Sequence, residues 1–459
     1  MEFEKNILSI GAGYVGGPTM SVIARQCPEY RVELVDIDHE KIARWNSDDL
    51  PIYEPGLAEI VQSIRGRNLF FSTDIGAAID RADIIFVSVN TPTKTYGYGA
   101  GMASDLQYWE QTAHTIVQHS RGDKIIVEKS TLPVRTAEAM ERILSANDKG
   151  LRFEVVSNPE FLAEGSAIND LMKADRVLIG HHQSKTGRKA AREIVDIYRH
   201  WLPARRIITT NVWSSELSKL IANAFLAQRI SSINATAQIC ERSDADVQEV
   251  ARAIGTDRRI GPRFLNASVG FGGSCFKKDI LNLVYIARSF GLEEVADYWN
   301  MVVRLNEAQK ARFVRKMVSA MFNTVAGKKI ALLGFAFKAH TGDTRESPAI
   351  DIARQLLEER AVLAISDPRA LDNARRDLEG IPGKVEFQPD PYRAADGASA
   401  LAILTEWPEY RDLDYSRIYR RMNKPAFVFD GRNILNHPVL FKLGFNVYPL
   451  GKKGLSHFR

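Results

Sequence analysis

The sequence predicts an α/β protein of two doubly wound parallel-sheet domains joined by a long central helical segment. Three observations carry that expectation. A short apolar run, a glycine-rich turn and a helical pattern follow one another at 6–26. From about 213 the chain turns into a long helical stretch without proline or glycine. From 328 a second alternation of apolar strands and helices begins. A length of 459 residues suits about three such segments at roughly 150 each. They are read as an N-terminal dinucleotide-binding domain over 1–212, a central helical segment over 213–325 and a C-terminal ligand-binding α/β domain over 326–459.

The first elements are the most specific. NILSIGAGYVGGPTMSVIARQ places Gly11, Gly13 and Gly16 in the G-x-G-x-x-G spacing between a strand and a helix. The next strand, RVELVDID, brings Asp36 20 positions after Gly16. Glycines let the backbone approach a pyrophosphate at the positive end of a helix, and an acid at that distance accepts from a ribose 2′-hydroxyl. The unit therefore reads as Rossmann-like and favours NAD over NADP. Further strands are expected at 82–93, 123–131, 152–161 and 176–180, with Thr91, Thr131, Glu160 and Glu164 at their carboxyl edge. The glycine-rich stretch KTYGYGAGMASD at 94–105 reads as a loop over the site.

In the central segment, WSSELSKLIANAFLAQRISSINATAQICE has an apolar stripe at helical spacing. Lys219 and Asn223 stand four apart on one face, where an amine and an amide can both donate to one oxygen. Downstream, VGFGGSCFKKDILNLVYI puts Cys275 behind Gly272 and Gly273 and at the start of a helical pattern. Orphan amides and the helix dipole favour a thiolate there, Lys277 and Lys278 add positive potential, and Asp279 falls one turn on. This is the setting of a nucleophilic cysteine.

The C-terminal unit opens with KKIALLGFAFK and repeats the strand–helix alternation with a lone Gly334 in place of a glycine fingerprint, so no second dinucleotide site of the usual kind is expected. Lys338, Arg345 and Arg432 near strand ends are suited to a phosphate-bearing ligand. A net charge of +5 over 61 basic and 56 acidic residues gives no strongly basic segment, which points to neither nucleic acid nor an anionic membrane as a partner. Three scattered cysteines exclude a disulfide framework, nine histidines show no HExxH spacing, and no metal is expected. No apolar run approaches a membrane span, and only MEFEK precedes the first strand, so a cytoplasmic location is expected.

The blocks GAGYVGGPTM, LPIYEPGL, FVSVNTPTKT, VEKSTLPVRTAE, SNPEFLAEG, ELSKLIANAFLAQRISSIN, VGFGGSCFKKDILNLVYI, TGDTRESPAI and DGRNIL together resemble the UDP-glucose/GDP-mannose dehydrogenase family, from about residue 5 to about 450. The pattern is closest in character to members that act on UDP-glucose. The resemblance implies oxidation of the C6 alcohol of UDP-glucose to UDP-glucuronate by two hydride transfers to NAD, with Cys275 as nucleophile. It implies that Lys219 and Asn223 stabilise oxyanions, that Asp279 and Thr131 hold a water, and that Glu160 assists thioester hydrolysis. Lys219 and the Asp279-held water are both open as the first-step base. Substrate contacts are implied for Phe161, Leu162, Ala163, Glu164, Lys219, Asn223, Phe271, Gly272, Lys338 and Arg432. Cofactor contacts are implied for Gly11, Gly13, Gly16, Asp36, Lys41, Thr131, Glu164 and Arg345. Arg259 matches a residue that reaches a partner subunit's substrate, which implies a homo-oligomer with a dimer as its building block, up to a hexamer. Two positions depart from the animal enzymes: Lys41 replaces an arginine and Asn266 a lysine.

Overall fold

The computed structural model describes residues 3–458. Its compact units divide between Ala222 and Asn223. In the first, strands β1 (Lys5–Ile10), β2 (Tyr30–Val35), β3 (Leu69–Ser72), β4 (Ile84–Val87), β5 (Lys124–Glu128), β6 (Phe153–Ser157), β7 (Val177–His181) and β8 (Ile207–Asn211) form one sheet. Its order is β3-β2-β1-β4-β5-β6-β7-β8. Successive residues of one strand enter opposite cores. Ile7, Leu34, Ile84 and Phe86 pack on one face, while Leu8, Val35, Ile85 and Val87 pack on the other. Period-2 alternation with both faces apolar is what a parallel sheet covered by helices requires, and it explains why these strands read as continuous apolar runs.

The parallel expectation holds at every step of this sheet but one. β6 and β7 pair antiparallel through Val156↔His181 and Ser157↔Gly180, and β8 then runs parallel to β7. Strand limits are also tighter than the sequence reading, since the polar residues after Val87, Glu128 and Ser157 leave the sheet. Those carboxyl ends, together with that of β1, carry the residues singled out above. The 94–105 loop is closed on itself by Lys94 N to Ala103 O (2.8 Å) and Gly101 N to Lys94 O (2.7 Å).

The helix Val212–Ser243 is unbroken over 32 residues, as the absence of glycine and proline predicts. Asn211 caps it by accepting from Ser214 N at 2.8 Å. In the second unit, β9 (Lys329–Leu333), β10 (Val362–Ser366), β11 (Lys384–Phe387), β12 (Ala400–Ile403), β13 (Phe427–Asp430) and β14 (Asn446–Pro449) form a parallel sheet in the order β11-β10-β9-β12-β13-β14. That is the strand order of a dinucleotide-binding fold without its glycine fingerprint. The helix Glu293–Ala320 joins this core through Phe313, Val314 and Met317, so the end of the central segment packs with the C-terminal sheet. No helix of the described residues is long and apolar enough to cross a membrane.

Candidate active site

The glycine turn after β1 has three distinct constraints. Gly11 has φ +102°, and a Cβ there would lie 2.5 Å from Ser88 O. A Cβ on Gly16 would lie 2.1 Å from Gly11 O, so the helix Gly16–Gln26 sits hard against the turn. Nothing stands within 4 Å of a Cβ on Gly13. The first and third glycines are therefore required by the fold. The second is required only if something outside the protein comes close, which is the fit expected of a pyrophosphate. Gly17, which the fingerprint does not single out, is also obligatory, because its Cβ would meet the Trp45 ring at 2.4 Å. Asp36 at the end of β2 turns back to the same turn, its Oδ2 accepting from Ala12 N (3.0 Å) and from Lys41 Nζ (3.0 Å). Lys41 thus bears on the very carboxylate that the sequence spacing offers to a ribose.

A second cluster in the first unit gathers around Lys219. Its ammonium lies 3.0 Å from Glu160 Oε1, both side chains are almost wholly buried, and the second Glu160 oxygen meets no donor. Its Nζ also lies 5.4 Å from the Phe161 ring centroid, and Arg176 covers that ring at 3.9 Å. Lys129, which the sequence reading passed over, lies in the same buried region. It donates to Asn158 Oδ1 (3.1 Å) and to the Tyr198 hydroxyl (3.2 Å). Burial, opposed by Glu160 and reinforced by the charge of Lys219, lowers its pKa to about 8. Thr131 O accepts from Thr91 Oγ1 at 3.0 Å. The 160s loop hangs on Glu54 of the LPIYEPGL block, whose two oxygens accept from Gly165 N (2.6 Å) and Ala167 N (3.2 Å). Ala163 N, beside Leu162 and Glu164, donates to Asp170 Oδ2 at 3.0 Å. A buried acid holding backbone amides is a tertiary fact that no spacing in the sequence announces.

In the second unit Cys275 is the N-cap of the helix Phe276–Ser289 and is exposed, whereas Cys27 and Cys240 are buried. The route to it needs small residues. A Cβ on Gly272 would meet Glu346 O at 2.5 Å, and Gly273 has φ +86° and donates to Arg345 O at 2.9 Å. Asp279 is almost wholly buried and accepts from Asn223 Nδ2 at 2.6 Å. The amide of Asn223 is thereby oriented by the acid one turn below the cysteine. Lys277 is engaged with Glu346 (2.9 Å) and Glu307 (3.4 Å), and Lys278 lies 4.0 Å from Asp279. Phe271 is fixed by both ends of the Asn306 amide, at 2.8 and 3.0 Å.

The remaining cations differ in freedom. Arg432 donates to Leu404 O (2.7 Å) and Phe337 O (3.0 Å) and pairs with Glu406 (3.1 Å), so it is a fixed part of the β12–β13 end. Lys338 Nζ lies 5.5 Å over the Phe337 ring, and Arg345 is forked on Asp343 at 2.7–3.0 Å. Arg259 is fully outward and, among the described residues, pairs with its neighbour Asp257 at 2.6 Å. At the end of β10, Asp367 occupies the place that Asp36 has after β2. Its Oδ2 accepts from Phe335 N, Ala336 N and Trp407 Nε1 and its Oδ1 from Arg369 N and Ala370 N. One group, Cys27, Glu29 and His200, brings metal-capable atoms together among the described residues. Burial, and secondarily Glu29, pushes the Cys27 thiol up to about 12, which opposes the thiolate a metal would need.

Comparison with known proteins accords with this geometry. Residues 5–202 match the NAD binding domain of the UDP-glucose/GDP-mannose dehydrogenase family, 213–308 its central domain and 331–437 its UDP binding domain. The chain is 58% identical to UDP-glucose 6-dehydrogenase 3 of Oryza sativa subsp. japonica and 57% identical to UDP-glucose 6-dehydrogenase 1 of Arabidopsis thaliana, each over 97% of both chains. Among solved structures it is similar to a UDP-glucose dehydrogenase from Pyrobaculum islandicum, with a TM-score of 0.86 and 31% identity over 98% of both chains. The UDP-D-ManNAc dehydrogenase of Pyrococcus horikoshii follows at a TM-score of 0.82 and 25% identity, covering 97% of this chain and 99% of that one. With its three family segments in order and relatives above half identity along nearly its whole length, the chain belongs to the UDP-glucose/GDP-mannose dehydrogenase family.

Proposed function

We propose that the protein oxidises UDP-glucose to UDP-glucuronate with two equivalents of NAD, through a thiohemiacetal and then a thioester on Cys275. The single observation that carries this reading is an exposed cysteine capping a helix whose buried Asp279 orients the Asn223 amide. A dehydrogenase that stopped at the aldehyde would have no use for that sulfur. Gly13 and Asp36 would hold the pyrophosphate and ribose of NAD, which would supply the hydride acceptor for both steps. Its fit rests on Gly13, the one glycine of the three in the turn whose Cβ would meet no protein atom.

The residues then divide the work. The Cys275 thiolate adds to the C6 aldehyde, and the resulting alkoxide is stabilised by the Lys219 ammonium and the Asn223 amide, which sit one turn apart on one helix. Loss of the second hydride leaves an acyl-sulfur bond, which water cleaves with Glu160 taking the proton. The Lys219–Glu160 contact at 3.0 Å suits that exchange, because proton gain by one group is compensated by the other. Asp279 and Thr131 hold a water for the first deprotonation, and Lys219 is the other group able to take that proton. Phe161 to Glu164, Phe271, Gly272, Lys338 and Arg432 hold the nucleotide sugar, and Arg345 and Glu164 contact the cofactor. The protein acts as a homodimer or a larger assembly of dimers, with Arg259 reaching the partner's substrate. Exposed Phe225, Ile239, Val295, Tyr298 and Met301 on its long helices supply apolar surface for that contact.

The experiment is the yield of NADH from limiting UDP-glucose with NAD in excess. Two per sugar is expected. One per sugar, or comparable rates with GDP-mannose or UDP-N-acetylmannosamine, overturns the reading.

A further inference from the structure

Glu128 ends β5 immediately before Lys129, is 1% exposed, and has both side-chain oxygens buried without an N–H or O–H donor. The group against it is another carboxyl, that of Glu216, itself 4% exposed on the second turn of the helix Val212–Ser243. Glu216 is oriented differently. Its Oε2 accepts from Arg135 N at 2.7 Å and its Oε1 from Ala137 N at 2.8 Å, both at the start of the helix Thr136–Ser145. Two acceptor-only groups cannot stay in contact in a desolvated space, and a proton between them turns the contact into a strong charge-assisted hydrogen bond.

We propose that Glu128 and Glu216 share one proton, carried by Glu128 and donated to the ionised Glu216, and that this pair is the positioning element which fixes the start of the Lys219-bearing helix to β5. No bond other than O–H···O changes. Glu216 stays ionised because two amides at a helix N-terminus point at it, whereas Glu128 has no donor to stabilise a charge. Facing groups complete the account. Glu128 and Glu216 both feel Glu141, and Glu141 in turn faces His182, Glu154 and Glu138. Burial first, then Glu216, raises the pKa of Glu128 well above the carboxylate range. Burial lifts Glu216 as well, but its two amides pull it back, so it is Glu128 that keeps the proton. That Lys219 is the group whose placement matters rests on the reading of the active site above, but the proton itself does not.

The test uses the full chain without ligand and three variants. Glu128→Gln keeps a neutral donor toward Glu216, Glu128→Ala removes it, and Glu216→Gln presents an NH2 group to amides that need an acceptor. Infrared spectra at neutral pH should show a protonated-carboxyl stretch that Glu128→Gln lacks. Amide exchange, corrected for its intrinsic pH dependence, should match wild type over 212–219 in Glu128→Gln and be at least about tenfold faster in Glu128→Ala and Glu216→Gln. At alkaline pH, where the shared proton is lost, the wild-type helix start should loosen while that of Glu128→Gln does not. Absence of the carboxyl band, or equal loosening in Glu128→Gln and Glu128→Ala, overturns the proposal. Because none of these readouts involves turnover, a failed NADH yield would sink the assigned reaction and leave the shared proton standing. Should Glu128→Ala not fold, the contrast between Glu128→Gln and Glu216→Gln decides the matter alone: tolerance of the first and damage by the second is expected, and the reverse overturns it.

Discussion

Alkylation of the three cysteines separates an activated sulfur from ordinary core thiols. Cys27 is fully buried, and burial pushes its thiol up to about 12. At about pH 7.5 its thiolate is then roughly three in 100,000 molecules, whereas an ordinary cysteine near 8.5 has about one in ten. On thiolate supply alone an exposed, unperturbed Cys275 would react about 3,000-fold faster than Cys27, and the opening needed to expose Cys27 widens the gap. Cys240 is 3% exposed and its thiol is likewise raised by burial. The assay is mass-spectrometric mapping of iodoacetamide labelling over time, from about pH 6 to 9, on wild type and Cys275→Ser. One fast site is expected, absent from Cys275→Ser, with a rate midpoint below that of a free thiol because the helix N-terminus favours the anion. A midpoint at or above the free-thiol value, or labelling of Cys27 or Cys240 at a comparable rate, would refute the argument from the helix cap.

Other substitutions probe the remaining parts. Gly13→Ala should alter thermal stability by no more than about 0.5 kcal/mol and weaken NAD binding at least tenfold by calorimetry, whereas Gly16→Ala, with a Cβ 2.1 Å from Gly11 O, should unfold at lower temperature even without ligand. Lys219→Ala leaves the Glu160 carboxylate buried without its cation, which costs about 3–5 kcal/mol on breaking one partner of a buried pair. Glu160→Gln with Lys219→Ala should recover part of that loss in chemical denaturation while leaving NADH formation absent. Lys129 binds its proton less tightly folded than unfolded, so its contribution to stability rises with pH between about 8 and its unfolded pKa near 10.4. Lys129→Met should flatten that rise in melting temperatures taken across the window.

Elements whose signal is local were legible in the sequence. The glycine turn, the acid at position 36, the helix that carries Lys219 and Asn223, and the cysteine at a helix start each depend on spacing within about 20 residues, and backbone periodicity transmits such spacing directly. What escaped has partners far along the chain. Lys129 is defined by Asn158 and Tyr198, Glu54 by the amides of 165 and 167, and Glu128 by a carboxyl 88 positions away. Buried polar groups look like any strand or loop residue until their donors are known. The antiparallel β6–β7 step escaped for a related reason, since strand direction is set by where the connection returns and not by the strand's own composition. Short edge strands such as β3 and β11 were passed over because four residues carry too little pattern.

The two sheets use the acid after their second strand in opposite ways, and this bears on how far one can be converted into the other. Asp36 has given its oxygens to two backbone amides and the half-buried ammonium of Lys41, so a ribose hydroxyl would have only that one side-chain donor to displace. Asp367 is 2% exposed and saturated by five N–H groups, one of them the indole of Trp407. Its carboxylate has become a keystone for the turn after β9. Grafting a glycine fingerprint behind β9 would therefore not create a second dinucleotide site, because the acceptor such a site needs is already spent on the fold.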